Sequence, residues 1–241
     1  MKLIRQFTND NYSNFGLPIV YNDYTLNLFS DVSTKPNAVK DLAACYGAVA
    51  VCKDTIIDEM FRFNSICTVN AGEIRGIRTS LRLALKYADR FRNINIFSDS
   101  QLSIFSLRDY IYLWTYNPQR KEFYTKSGND KVANQSLYVE CYSLLMMLIE
   151  RCNVNLFHQK AHISNKPSDL RHAIKTFRQS NQIYCTIDYN FIRYISMYNN
   201  YVDEKTRSLI LRTDTNAINQ ETHYRDAIKL YINPTPEYFY R

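Results

Sequence analysis

The chain has 241 residues, 46% of them hydrophobic and 22% charged, which suffices for one buried core of about 150 residues plus appended segments. Thirty Lys and Arg stand against 23 Asp and Glu, so the net charge of +7 favours an anionic partner, nucleic acid being the usual one. The polar start has no signal-peptide pattern and no apolar run reaches membrane-spanning length, so no membrane partner and a cytoplasmic location are expected.

Residues 1–24 show no period and read as part of an N-terminal extension, residues 1–25. A short apolar run at 26–31 is the first strand, ending at Asp31; residues 33–41, with Pro36, read as a loop. Residues 45–52 and 59–68 favour β-structure, and with the first strand they suggest an antiparallel meander. The period changes at Gly72. Ile74, Ile77, Leu81 and Ala84 recur at helical spacing, so residues 73–89 are expected to be an amphipathic helix. Residues 93–98 are a strand ending at Asp99, and a helix follows over about 101–112. Residues 115–131, with Pro118, Gly128 and several cations, read as an exposed loop or protrusion. Residues 134–151 are helical, 153–158 a strand, and 167–177 a last core helix with Asp169 in its first turn.

The order βββ-α-β-α-α-β-α implies an α/β fold, a five-stranded mixed sheet flanked by helices, over residues 26–184. Residues 185–241 lie outside it. That extension is rich in Tyr, partly helical around 203–211, and leaves three roles open: packing on the main domain, widening a nucleic-acid surface, or binding a partner.

The six cysteines form no CxxC pair and no zinc-finger spacing, which points to buried free thiols in a reducing compartment. Nucleophile-elbow and P-loop motifs are absent. Tyr is abundant and Gly numbers only 5, a bias expected of an AT-rich genome, viruses and phages included.

Asp31, Glu73, Asp99 and Asp169 occupy strand ends and helix starts, where an α/β sheet presents side chains to one edge. Singly, each such acid is usually a turn former or a partner of the helix dipole. Four converging carboxylates would repel unless cations neutralised them. Mg²⁺, with oxygen ligands, meets that need, and two such ions about 4 Å apart can act on a phosphodiester.

The segments around these acids resemble the type 1 ribonuclease H family over roughly residues 26–180. Leu28-Phe29-Ser30-Asp31-Val32-Ser33 is similar to its first-strand pattern, although Val32 stands where Gly is usual. Asn70-Ala71-Gly72-Glu73 resembles its Asn-x-Ala-Glu motif, and Ser98-Asp99-Ser100-Gln101 resembles Thr-Asp-Ser-Gln closely. The run from Gly128 through Lys131, Val132 and Asn134 to Leu137 resembles the junction after a basic protrusion. His162-x-x-Asn165-x-x-x-Asp169 resembles the last motif of one branch.

The resemblance implies an endonuclease that cleaves the RNA strand of RNA–DNA hybrids, leaving 3′-hydroxyl and 5′-phosphate ends. Asp31, Glu73, Asp99 and Asp169 would hold two Mg²⁺ ions, which Mn²⁺ could replace. It implies substrate contacts from Asn70, Gln101 and Asn165, and from Lys121, Lys126 and Lys131 of the basic segment. Trp114, Phe123 and Tyr124 are interleaved there; in isolation the segment reads as a solvated loop, and its place at the family's protrusion favours substrate binding. His162 either assists product release or stands where that branch has Arg. His158 and His172 read as structural, and Arg75 and Arg78 as solubilising helix charges. Two alternatives stay open: a nuclease of the same fold for structured DNA or duplex RNA, and a non-catalytic nucleic-acid-binding module.

Overall fold

A computed structural model describes residues 20, 22–36, 42–66, 68–184 and 186–213. Most of the expected N-terminal extension, Cys67, Cys185 and the tail from 214, with His223, Tyr224, Tyr231, Tyr238 and Tyr240, lie outside the described residues.

The strands are β1 (Thr25–Pro36), β2 (Leu42–Cys52), β3 (Thr55–Ile66), β4 (Asn93–Ser98), β5 (Thr115–Asn117), β6 (Glu122–Tyr124) and β7 (Asn153–His158). The α-helices are α1 (Val69–Tyr87), α2 (Gln101–Phe105), α3 (Gln135–Ile149), α4 (Pro167–Asn181) and α5 (Tyr189–Arg212). The main sheet has the order β3-β2-β1-β4-β7. The pairs β1–β2 and β2–β3 are antiparallel, while β1–β4 and β4–β7 are parallel. This is the mixed α/β sheet that the element order implies. Among the described residues no helix is long and apolar enough to cross a membrane.

Strand β1 is central and covered on both faces, which is why its sequence reads as a nearly continuous apolar run. Successive side chains alternate between the faces. Leu26 and Leu28 join Tyr46, Ile94, Ile96 and Leu156 under α1 and α3. Phe29 joins Val49, Phe97 and Phe157 on the opposite face, under α4 and α5. There Phe29 stacks on Phe97 at 5.0 Å and Tyr198 of α5 stacks on Phe29 at 5.3 Å.

A ladder of buried amides fixes the parallel register. Asn155 Nδ2 donates to Asn95 Oδ1 and Asn95 Nδ2 to Asn27 Oδ1, each at 3.0 Å. Asn27 Nδ2 donates in turn to Val20 O and to Tyr194 Oη. Buried amides demand partners, so slipping any of these strands by one residue would strand polar groups in the core.

Several elements differ from the sequence expectation. Strand β1 runs on through Pro36 because its pairing with β2 continues to Leu42, so residues 33–36 are strand rather than loop. Helix α1 begins at Val69, capped by the Thr68 hydroxyl, which accepts from Ala71 N at 3.2 Å. Glu73 therefore sits inside the helix instead of opening it. The helix after β4 narrows to α2, then a π-helical turn (Ser106–Tyr110) and a 3-10 turn (Ile111–Leu113). Segment 115–131 is a folded hairpin of β5 and β6. Trp114 and Phe123 are buried beside Tyr138, so these two rings are core and not free to meet a base.

Arg75 and Arg78 are likewise buried rather than solubilising. Arg75 lies 6.0 Å from the Tyr46 ring centre, and Arg78 pairs with Glu140 of α3 at 2.9 Å. Helix α5 starts well before residue 203, capped by Asp188, whose Oδ1 accepts from Phe191 N at 2.7 Å. Cys45, Cys52, Cys141 and Cys152 are free; burial pushes the Cys45 thiol up to about 12 and that of Cys152 to about 11.

Candidate functional site

The alternation that sends Phe29 to the α5 face sends Asp31 to the same face, two residues on. Asn95, Phe97 and Asp99 repeat that spacing along and just past β4. Because Asn27 is level with Asn95, the amide ladder also sets Asp31 level with Asp99. Glu73 approaches from α1 across the strand ends. Gly76, one turn further along α1, makes that approach possible: a Cβ there would lie 3.3 Å from Asp31 O and 3.5 Å from Ser30 Cβ.

One carboxylate oxygen from each of Asp31, Glu73 and Asp99 lies within 4.8 Å of the other two. Asp31 is buried, and its Oδ1 accepts from Val32 N at 2.7 Å. Burial, then the charge of Asp99, pushes its carboxyl up to about 8. Burial first, then Asp99 and Asp31, raises Glu73 well above the usual carboxylate range. Asp99 is raised mainly by burial; backbone and Asn199 hydrogen bonds and the His162 charge draw it back. Two buried carboxylate oxygens, Glu73 Oε2 and Asp99 Oδ1, have no hydrogen-bond partner. Close-set hard oxygens, mutual repulsion and orphaned acceptors are what a divalent cation site requires of its protein.

The fourth expected acid lies apart from this group. Asp169, in the first turn of α4, is partly exposed and accepts from the hydroxyls of Ser164 and Ser168. The Ser164 bond, foremost, holds its carboxyl below the usual value. His162 stands at the rim in the left-handed region (φ 48°), its side chain 69% exposed. Asn70 is in the first turn of α1, where its Oδ1 accepts from Ser103 Oγ at 3.3 Å. Gln101 and Asn165 are exposed, as are Lys121 and Lys126 around β6. Lys131 is paired with Glu122 of the same hairpin.

Helix α5 adds residues that the motifs did not indicate. Asn199 is buried and accepts from Gln159 Nε2 at 2.7 Å, and its side chain favours the ionised form of the Asp99 carboxyl. Asp203, one turn later, raises both Asp31 and Asp99 through its charge. Its Oδ2 lies 2.6 Å from Arg207 Nη2 and 4.0 Å from His162 Nδ1. The signal available in the sequence was a polar stripe, Asn199, Asp203 and Thr206, along one side of an otherwise aromatic helix.

A family model described as RNase H matches residues 23–180. Among solved structures, the chain is similar to the N-terminal RNase H domain of rv2228c from Mycobacterium tuberculosis, solved as a maltose-binding-protein fusion. The identity is 19%, over 66% of this chain and 97% of that one, with a TM-score of 0.39. RNase H1 from the halophilic archaeon Halobacterium salinarum NRC-1 is 16% identical over 64% of this chain and 93% of its own (TM-score 0.38). The foamy viral protease-reverse transcriptase, solved in complex with RNA/DNA hybrid, is 16% identical over 75% of this chain and 22% of its own (TM-score 0.48). A search among curated proteins finds no match.

Proposed function

Because the chain belongs to the ribonuclease H family, we propose that it is a metal-dependent endonuclease that hydrolyses the RNA strand of RNA–DNA hybrids. The observation that carries the reading is the triad of Asp31, Glu73 and Asp99, three acids whose oxygens converge within the family-matched segment. A binding module has no use for such a repelling cluster, whereas phosphodiester hydrolysis does.

Asp31, Glu73 and Asp99 would hold two Mg²⁺ ions, with Mn²⁺ able to replace them, and Asp169 stands at the family's fourth position. Bound there, the ions would activate a water and neutralise charge on the reacting phosphate. The protein's own part is to fix the ligands: Val32 N orients the Asp31 carboxylate and the Asn199 amide orients Asp99. His162, with its side chain 69% exposed, would move a proton at the departing product. Asn70, Gln101 and Asn165 would meet the hybrid's bases and sugars, and 2′-hydroxyl contacts would tell RNA from DNA. Lys121 and Lys126 are free to meet phosphates. Lys131 can do so only by leaving Glu122.

The test is cleavage of labelled RNA–DNA hybrid, duplex RNA, single-stranded RNA and duplex DNA, with Mg²⁺ or with chelator. Metal-dependent cleavage of the hybrid's RNA strand alone, reduced by about a hundredfold or more in Asp99→Asn, is the expected result. Cleavage of another substrate by the same acids would keep the chemistry and change the substrate. Tight binding without cleavage would refute the enzymatic reading.

A further inference from the structure

We propose that Asp203 of helix α5 is a metal ligand of this centre, filling the fourth carboxylate place that the motif assigns to Asp169. The inference rests on the metal-dependent reading above and deepens it. Helix α5 lies beyond the family-matched segment, which ends at residue 180.

The register of α5 over the sheet carries the argument. Asn199 Oδ1 accepts from Gln159 Nε2 at 2.7 Å, and Gln159 N donates at 3.0 Å to the carbonyl of Ser98, the last residue of β4 and the one before Asp99. Thr206 shares a hydrogen bond of 2.9 Å with Ser33, two residues beyond Asp31 on β1. Both anchors are buried, at 1% and 0% exposure. Asp203 lies between them on the same side of the helix, one turn from each. Asn199 and Thr206 thus pin Asp203 above the two strand ends that carry Asp31 and Asp99. Those two acids are also on the α5 face of the sheet by strand alternation. The Asp203 side chain is only 14% exposed, and on either side of it Tyr198 stacks on Phe29 and Thr206 meets Ser33, so α5 runs along β1 past Asp31.

An acid pressed against other acids is unfavourable without a cation. Arg207 supplies positive charge beside Asp203, and His162 Nδ1 lies 4.0 Å from it, but the side chains of both are largely exposed, at 57% and 69%. The inner oxygens Glu73 Oε2 and Asp99 Oδ1 still lack a partner. A divalent ion among Asp31, Glu73, Asp99 and Asp203 would satisfy what these side chains leave open. Asp169, by contrast, is already held by Ser164 and Ser168.

The test is calorimetric titration of Mn²⁺ into the full chain without nucleic acid, for wild type, Asp203→Asn, Asp169→Asn and Arg207→Gln. Circular dichroism would check the fold of each. Asp203→Asn is expected to weaken Mn²⁺ binding by about tenfold or more, or to abolish one binding event. Asp169→Asn should bind like wild type, and Arg207→Gln at least as tightly. Were Asp203→Asn misfolded, Asp203→Cys titrated with Cd²⁺ gives a second reading. A thiolate-to-Cd²⁺ absorption absent from wild type supports the proposal, and its absence overturns it. Unchanged Mn²⁺ binding in folded Asp203→Asn, or a loss confined to Asp169→Asn, would overturn it too. If wild type cleaves hybrid while Asp203→Asn binds normally, only this inference falls. If wild type binds no metal, the function proposed above falls with it.

Discussion

Three acids held close together make the pH response of the metal-free chain unusual in direction. Asp31 carries its proton up to about pH 8 in the folded chain, against 3.8 ordinarily. The folded state then binds more protons than the unfolded one between those values, so stability falls as pH rises through that window. The unfavourable contribution is absent below pH 3.8 and complete above about pH 8. Glu73 and Asp99, also raised, act in the same sense. Melting the chelated protein between pH 5 and about 8 should show a falling midpoint. Asp31→Asn should flatten that fall, and saturating Mg²⁺ should oppose it by favouring the ionised carboxylates. A midpoint that rises steadily with pH in chelator, for wild type and variant alike, would mean that the acids are not strained as described. At this scale the sequence was legible where a motif surrounds the residue. Asp31, Glu73 and Asp99 were readable because their neighbours match a pattern. Arg75 and Arg78 were misread because a charged residue two or five positions from a site gives no sign that Tyr46 and Glu140 await it on other elements.

Packing between α1 and β1 is what brings Glu73 to Asp31, and Gly76 sets their spacing. Adding the branched Cγ atoms of Val at this position would drive them into the backbone of Asp31, since even a Cβ lies 3.3 Å from its carbonyl oxygen. Gly76→Val should destabilise the chain by about 1 to 3 kcal/mol through overpacking. It should also weaken Mn²⁺ binding, because α1 would have to shift and carry Glu73 with it. Melting and calorimetry on the same variant separate the two effects; normal Mn²⁺ affinity in a destabilised variant would show that Glu73 does not depend on this contact. Elements with a strong period were well read: β4 and β7 fall on the expected residues, because each is a short apolar run between clear breaks. Segment 115–131 is largely exposed, as its Pro, Gly and cations suggest, but it is built on a hairpin rather than an irregular loop. Yet Trp114 and Phe123 reach the core across a hairpin, and Phe123 N is fixed by Gln135 from the next helix. Such long-range satisfaction leaves no local periodic trace.

For the molecule as a whole, the question is whether the family-matched segment is sufficient without helix α5. The face of the sheet that carries Phe29, Val49 and Phe97 is covered in large part by this helix. Its Ile192, Ile195, Val202 and Ile210 are each no more than 2% exposed. At roughly 1.5 to 3 kcal/mol for each buried aliphatic side chain, these four alone contribute about 6 to 12 kcal/mol. That is comparable to the entire stability of a typical domain, about 5 to 15 kcal/mol. The nearly continuous apolar run of β1 fits a strand covered on both faces. Its second layer was hard to foresee because the aromatic, polar α5 resembles a surface helix. A chain ending at residue 184 should therefore fail to fold cooperatively, and should bind an apolar dye as its Phe29 face is exposed. The measurement is a thermal melt beside dye fluorescence, against the full chain. A cooperative melt with no dye binding in the shortened chain would show that α4 covers the sheet unaided, and would reduce α5 to a carrier of Asn199 and Asp203.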